Sequence, residues 1–350
     1  MKKKNLSAKK KIPKFYSDKL NDPRIKKIYL EFKNKLCTYK INNFSVAVSG
    51  GVDSMALSFL TKCYSLEKNK KIPFFIVDHN IRKNSTSEAN SVKKKLLSLK
   101  IKSEILTIQK IKKKSNIQSF ARENRYDLIF KKCLSKKLDA VLTAHHKDDL
   151  IENFFIRLLR GSGLKGLSSF GNIKSQIKIN NKIFIFRPLL NTSKKDLTYI
   201  SKKTFNFKVD DPSNLNDKYL RVRVRKLISK LRTFGLTFNK FKNSLDNLNK
   251  SNSAIEHYVK KNIKDNSNYL PISKTVILNQ NFINKPDDIV FRSFMIILQK
   301  VGRKDLYTRG MKVENLLRDL KDMKKFGKKT LSGCIIQKIE KSVIISPEKL

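Results

Sequence analysis

Acidic residues, paired cysteines and long apolar runs are what this chain has least of. No apolar stretch approaches the roughly 18 residues that a membrane-spanning helix needs, so no transmembrane segment is expected. The opening Met1-Lys-Lys-Lys-Asn5 is basic, but no apolar core follows it, which excludes a secretory signal there. Cys37, Cys63, Cys133 and Cys334 lie far apart and form no C-x-x-C. That argues against a zinc ribbon, a dithiol redox site or an iron–sulfur cluster. Scattered reduced thiols fit a cytoplasmic location, with no membrane partner. Acid is scarce: 29 Asp and Glu face 78 Lys and Arg, leaving a net charge of +49. Such a field favours a polyanionic partner, RNA or DNA ahead of a membrane surface. Richness in Lys, Asn and Ile also fits an AT-rich coding bias, so charge alone does not establish nucleic-acid binding.

At 350 residues the chain has room for two domains. Residues 1–22 are Lys-rich with little periodicity and read as a basic flexible tail. From 23 to about 190, strand and helix signals alternate. Strands are expected at Phe44–Ser49, Pro73–Asp78, Ser103–Ile108 and Asp139–Ala144, and helices at Met55–Tyr64, Ser87–Leu99 and Asn116–Ser135. This alternation predicts an α/β fold, a parallel sheet with helices on both faces. A helix capped by Thr192 or Ser193 is expected at Lys194–Thr204. From Tyr219 the pattern turns mostly helical, with amphipathic stretches near Asp287–Lys300 and Tyr307–Asp322. A smaller, mainly helical domain is therefore expected over 226–350, with β-like runs in Thr330–Ser346. No internal repeat is present.

The chemistry concentrates at the expected strand ends. Ser49-Gly-Gly-Val-Asp-Ser54 joins a buried strand to a helix, so backbone N–H groups and a helix N-terminus face one spot, which suits a phosphate anion. Gly50 and Gly51 let the backbone approach a ligand. Ser49 and Ser54 offer hydroxyls, and Asp53 suits Mg²⁺ or a cationic substrate. No Gly-Lys-Ser/Thr follows, so this is not a Walker loop. Arg160-Gly-Ser-Gly-Leu-Lys-Gly-Leu-Ser168 fails that pattern too, because Leu167 stands where lysine is required, and reads as a cationic turn.

Three of the four histidines, His79, His145 and His146, also fall at strand ends. Within Thr143–Glu152, His145, Asp149 and Glu152 are four and three apart and are expected on one helix face. In a chain so poor in acid, Asp148, Asp149 and Glu152 form a negative pocket for Mg²⁺ or an ammonium group. Helix-dipole stabilisation explains Asp148 and Asp149 well and Glu152 less well. No third soft ligand supports zinc. Arg122 and Arg125, three apart on the middle helix, are able to neutralise phosphate.

These segments also occur in one order with Val77-Asp-His-Asn-Ile-Arg82, Ala121-Arg-Glu-Asn-Arg-Tyr126, Arg187-Pro-Leu-Leu190 and Asp211-Pro-Ser-Asn214. Together they resemble the tRNA(Ile)-lysidine synthetase family of ATP pyrophosphatases over about residues 40–226. Asn153 departs from a usual Thr, and Val222 from the Asn of an Arg-Asn-x-x-Arg. The resemblance implies an ATP pyrophosphatase-type catalytic domain at 23–225 and a tRNA-binding domain at 226–350. It implies ligation of free L-lysine to the wobble cytidine of a CAU-anticodon isoleucine tRNA, through an adenylated cytidine, with release of AMP and pyrophosphate. ATP would then be held by Ser49, Gly50, Gly51, Val52, Asp53 and Ser54, with His79 and Arg82 alongside and Mg²⁺ near Asp53. Asp149 and Glu152 would bind lysine. Asp53, His145, Arg122 and Arg125 would serve the reaction centre. A related tRNA thiolase would carry C-x-x-C pairs, an amidotransferase-coupled synthetase an ammonia-generating domain. A non-catalytic RNA-binding protein explains neither the Gly-Gly loop nor the acids at 148–152.

Overall fold

The computed structural model describes residues 12–80, 84–108, 117–169, 173–176, 183–206, 220–302, 310–322 and 326–348. The chain divides into two compact units, 1–245 and 246–350.

The first unit opens with helices α1 (Lys14–Asn21) and α2 (Pro23–Thr38). Strand β1 (Phe44–Val48) runs through the Gly-Gly turn into α3 (Val52–Glu67), followed by β2 (Phe74–Asp78), α4 (Ser85–Ser98) and β3 (Ser103–Thr107). Next come α5 (Ile117–Ser135), β4 (Ala140–Leu142), α6 (Lys147–Leu158), α7 (Leu164–Ser168), β5 (Lys174–Gln176) and β6 (Phe184–Phe186). Helices α8 (Lys194–Phe205) and α9 (Leu220–Thr233) complete the set, and α10 (Phe238–Asn266) carries the chain across the division. The sheet order is β3-β2-β1-β4-β6-β5, parallel throughout except for the edge strand β5. The expected parallel α/β architecture is what the chain adopts.

The apolar run of β1 is buried because strands lie on both its sides and helices cover its faces. Helix α3 is apolar around most of its circumference, Met55, Leu57, Phe59 and Leu60 being fully buried, and it packs between β1 and α8. Ser193 caps α8 in a capping box with Asp196.

The tail expectation for 1–22 needs correcting over its second half. Residues 14–21 form α1, and Tyr16 is buried, with its ring stacked on Phe59 at 5.6 Å and its hydroxyl donating to the Leu99 carbonyl. Asp22 then caps α2, accepting from the backbone N–H groups of Arg24 and Ile25. One buried aromatic side chain, Tyr16, anchors a helix in this Lys-rich stretch.

The second unit contains the expected helices, with α10 followed by α11 (Gln280–Ile283), α12 (Asp287–Gly302) and α13 (Gly310–Lys321). It also contains a five-stranded antiparallel sheet, three strands of which fall in the expected β-like stretch 330–346, while the two strands at 267–278 were not expected. Its strands are β7 (Ser267–Leu270), β8 (Thr275–Leu278), β9 (Lys329–Leu331), β10 (Cys334–Ile339) and β11 (Ser342–Pro347), in the order β7-β8-β11-β10-β9. Phe282, Phe294, Leu298 and Ile336 are central to its core. The structural division falls at 245 rather than 225, because α9 packs on α6 of the first unit. Among the described residues no helix is long and apolar enough to cross a membrane.

Candidate active site

Strands β1 and β4 are neighbours, and the chain order reverses between them, since β2 and β3 lie to one side and β6 to the other. Loops leaving the carboxyl ends of such strands diverge and open a crevice. The segments after β1, β2, β4 and β6 all emerge at that end.

After β1, Gly50 takes φ +82, a left-handed conformation open to glycine at little cost. Gly51 then precedes α3, which begins without a side-chain cap, so its first N–H groups face the loop. The loop is braced internally. Ser54 Oγ accepts from the Ser49 backbone N–H at 3.2 Å and donates to the Gly51 carbonyl at 2.9 Å. Val52 and Asp53 occupy the first turn of α3. Both Asp53 oxygens accept from the Lys194 ammonium, at 2.8 and 2.6 Å. Lys194 is the first residue of α8, so the helix after β6 reaches across to the loop after β1.

His146 closes the other side. Its Nε2 lies 3.6 Å from Asp53 and 3.4 Å from Asp149, and its Nδ1 accepts from the Asp148 backbone N–H at 3.2 Å. It caps α6, with the Asp149 carboxylate accepting from its backbone N–H at 3.1 Å. Burial opposes a charge on the His146 ring, yet Asp53 and Asp149 outweigh it and raise its pKa. Burial likewise opposes ionisation of Asp53, but His146 and Lys194 hold its pKa below the usual value. For Asp149, burial prevails over His146 and Arg221, and its pKa is raised.

The acidic face of α6 is met by arginines of α9. Arg221 donates to Glu152 and to Asp149, each at 2.6 Å, Arg225 to Glu152 at 2.7 Å, and Arg232 to Asp148 at 2.6 Å. Glu152 is 4% exposed, so these guanidinium groups compensate a charge that water scarcely reaches. Asp149 and Glu152 do share a helix face, as their spacing requires. His145 does not join them: extended backbone at His146 breaks the helical phase, and α6 begins only at Lys147. His145 instead bonds the Thr143 hydroxyl at 2.9 Å through Nδ1. The His next to the predicted one reaches Asp53 and Asp149.

After β2, His79 Nε2 accepts from Arg125 Nε at 3.1 Å, with Arg125 Nη2 at 2.7 Å. Its proton therefore sits on Nδ1, which is buried with no partner among the described residues. Burial pushes the His79 pKa down to about 4, and the Arg125 charge adds to the effect. Asp78 steadies this loop by accepting from Ser85 and Thr86 hydroxyls, both at 2.7 Å. Arg82 and the segment Asp211–Asn214 lie outside the described residues, and of Arg122 only the backbone, within α5, is described. Val222 sits on α9 and is buried.

Sequence reasoning missed Lys194, His146, Arg221, Arg225 and Arg232 as members of this cluster. The Arg221 and Arg225 spacing of one helical turn was a visible signal. The partnership of Lys194 with a residue 141 positions earlier was not. Among the described residues no group of three or more His, Cys, Asp or Glu side chains is arranged to hold a metal ion by itself, and all four cysteines are free.

A family model described as the PP-loop domain matches residues 21–231. A tRNA(Ile)-lysidine synthase from Orientia tsutsugamushi is 34% identical over 87% of this chain and 69% of its own length. One from Anaplasma marginale is 29% identical over 84% of this chain and 63% of its own length. The chain thus spans about two thirds of the length of these curated relatives. Among solved structures, the U34-tRNA thiolase NcsA from Methanococcus maripaludis superposes with a TM-score of 0.53 at 16% identity. It covers 64% of this chain and 79% of the thiolase, a likeness of fold.

Proposed function

This chain belongs to the tRNA(Ile)-lysidine synthase family of PP-loop enzymes, and from that premise we propose that it ligates free L-lysine to a wobble cytidine. The RNA is an isoleucine tRNA with a CAU anticodon. The cytosine carbonyl oxygen attacks the α-phosphorus of ATP and pyrophosphate leaves. The lysine ε-amine then attacks the same ring carbon, the ring–oxygen bond breaks, and AMP leaves. Neither step requires a protein nucleophile. Both require neutralised phosphates, fixed geometry and an amine that has lost its proton.

The observation that carries this reading is the cluster of Asp53, His146, Lys194 and Asp149 beside the Gly-Gly loop, at the carboxyl ends of β1 and β4. The N–H groups of Ser49–Ser54 and the Lys194 ammonium supply positive potential for a polyphosphate. The Nδ1–H of His79, left without a described protein partner, supports a ligand contact there, and Arg82 is assigned to the same nucleotide by the family resemblance. Arg125, which holds His79, and Arg122 are assigned to phosphate neutralisation in this reading, and His145 to the reaction centre. Mg²⁺ commonly takes one or two carboxylates together with substrate phosphates. Asp53 fits as that carboxylate. Lys194 now covers both its oxygens, so metal and ammonium are alternatives there, and a freed Lys194 would turn to phosphate. Bound Mg²⁺ would supply charge neutralisation on the phosphates.

Lysine is assigned to Asp149 and Glu152. Their present partner Arg221 is a cation of the same sign, and a lysine ammonium exchanges with it on these carboxylates. AMP production tests the reading. It should require ATP, lysine and the CAU-anticodon tRNA together, and AMP release at an equal rate without RNA would contradict it.

A further inference from the structure

The turn between α9 and α10 holds an aromatic side chain that the packing of the first unit leaves out. Phe234 is 86% exposed, more than any other described aromatic residue. The local backbone explains its outward direction. Gly235 takes φ +88 and ends α9 in a left-handed cap, with its N–H donating to the Arg232 carbonyl and that of Leu236 to the Leu231 carbonyl. Leu236 and Phe238 then turn inward onto Val224, Ile228 and Phe241. The apolar contact that such a cap needs is made by Leu236, so Phe234 has no part in it.

The surroundings of Phe234 are cationic. Between Asp217 and Asp246 the chain has no Asp or Glu, while Lys230 and Arg232 precede the turn and Lys240 follows it. Lys240 lies over the turn, its ammonium 3.2 Å from the Gly235 carbonyl. An apolar protein partner would have to bury these charges unpaired. A nucleotide satisfies both features, its base on the ring and its phosphates on the lysines.

The turn is also fixed beside the reaction centre. Arg232 bonds Asp148, and the Lys147 ammonium sits 4.7 Å from the centre of the Phe238 ring. Both contacts fall at the start of α6, next to His146 and hence Asp53. We propose that Phe234 is a stacking platform for an unpaired anticodon-loop nucleotide adjoining the reacting cytidine, with Lys230 and Lys240 on the neighbouring phosphates. This rests on the RNA substrate argued above and adds to it a named contact.

The test uses the full chain and an RNA hairpin carrying the CAU anticodon loop, with 2-aminopurine replacing the loop adenosine. Phe234→Ala should weaken hairpin binding at least about fivefold, since a base–aromatic stack is worth roughly 1–3 kcal/mol. It should also relieve the quenching of 2-aminopurine and leave the KM for ATP unchanged. Phe234→Tyr should behave as wild type. Phe234→Leu should resemble Phe234→Ala, because leucine lacks a π-face. Wild-type binding and quenching in Phe234→Ala, or in Phe234→Leu, would overturn the platform while the wild-type protein still modified RNA. A wild-type protein that neither binds nor modifies the hairpin would overturn the RNA reading itself.

Discussion

Asp53 stands where three helices meet, on the first turn of α3 and in contact with His146 before α6 and Lys194 at the start of α8. Asp53→Ala should abolish AMP formation while tRNA binding, spread over many cations, stays within a few-fold of wild type. Parallel measurement of AMP release and tRNA retention checks this, and joint loss of both would mark the residue as structural. The two histidines His79 and His146 make opposite contributions to stability. His79, pushed down to about 4, resists a proton that the unfolded chain accepts near 6.5, so stability falls as pH drops across that window. His146, raised by its carboxylates, stabilises fully below 6.5 and loses that contribution as pH rises through its folded value. Denaturation midpoints across pH should show His79→Gln flattening the acid decline and His146→Gln removing the loss toward alkaline pH. Asp149 and Glu152 were legible because they stand together in a chain poor in acid. His146 was not separable from His145 by sequence, since a one-residue shift in the helix start decides which of them caps it.

The contact of α6 with α9 is the element on which the acidic pocket depends. Glu152 accepts from Arg221 and Arg225 while almost fully buried, so Glu152→Gln removes a charge that two guanidinium groups offset. A stability loss of about 1.5–3 kcal/mol is expected, together with a raised lysine requirement and little change in ATP affinity. Urea melts and lysine titrations separate the two effects. An unchanged lysine dependence would leave Glu152 a purely structural partner of α9. The parallel strands β1, β2 and β4 were readable because each is a short, largely apolar run flanked by helix-period sequence, and β3, half-buried at the sheet edge, by its place in the alternation. Strands β7 and β8, four residues each and joined by a tight turn, carry too little pattern to stand out beside a 29-residue helix. The pairing of β8 with β11, far along the chain, gives this hairpin its place.

At the scale of the whole molecule, the charge of +49 and the two-unit construction decide how a polyanion is held. Phosphate-dominated binding releases counterions, so tRNA affinity should fall linearly on a log–log plot against salt. An affinity nearly independent of salt would identify the charge as coding bias. The tRNA-binding role assigned to the C-terminal part is best tested at the structural division. A chain ending at Leu245 keeps α9 on α6, whereas one ending at Arg225 severs that helix. The form ending at Leu245 should modify tRNA poorly, and full-rate modification by it would show that residues 246–350 are dispensable. The central claim meets its most direct test in mass spectrometry of the CAU-anticodon tRNA after incubation with ATP and isotopically labelled lysine. The account predicts that the wobble cytidine is replaced by a heavier nucleoside carrying the label, and only when ATP is present. An unlabelled wobble cytidine from active, ATP-consuming protein would contradict it.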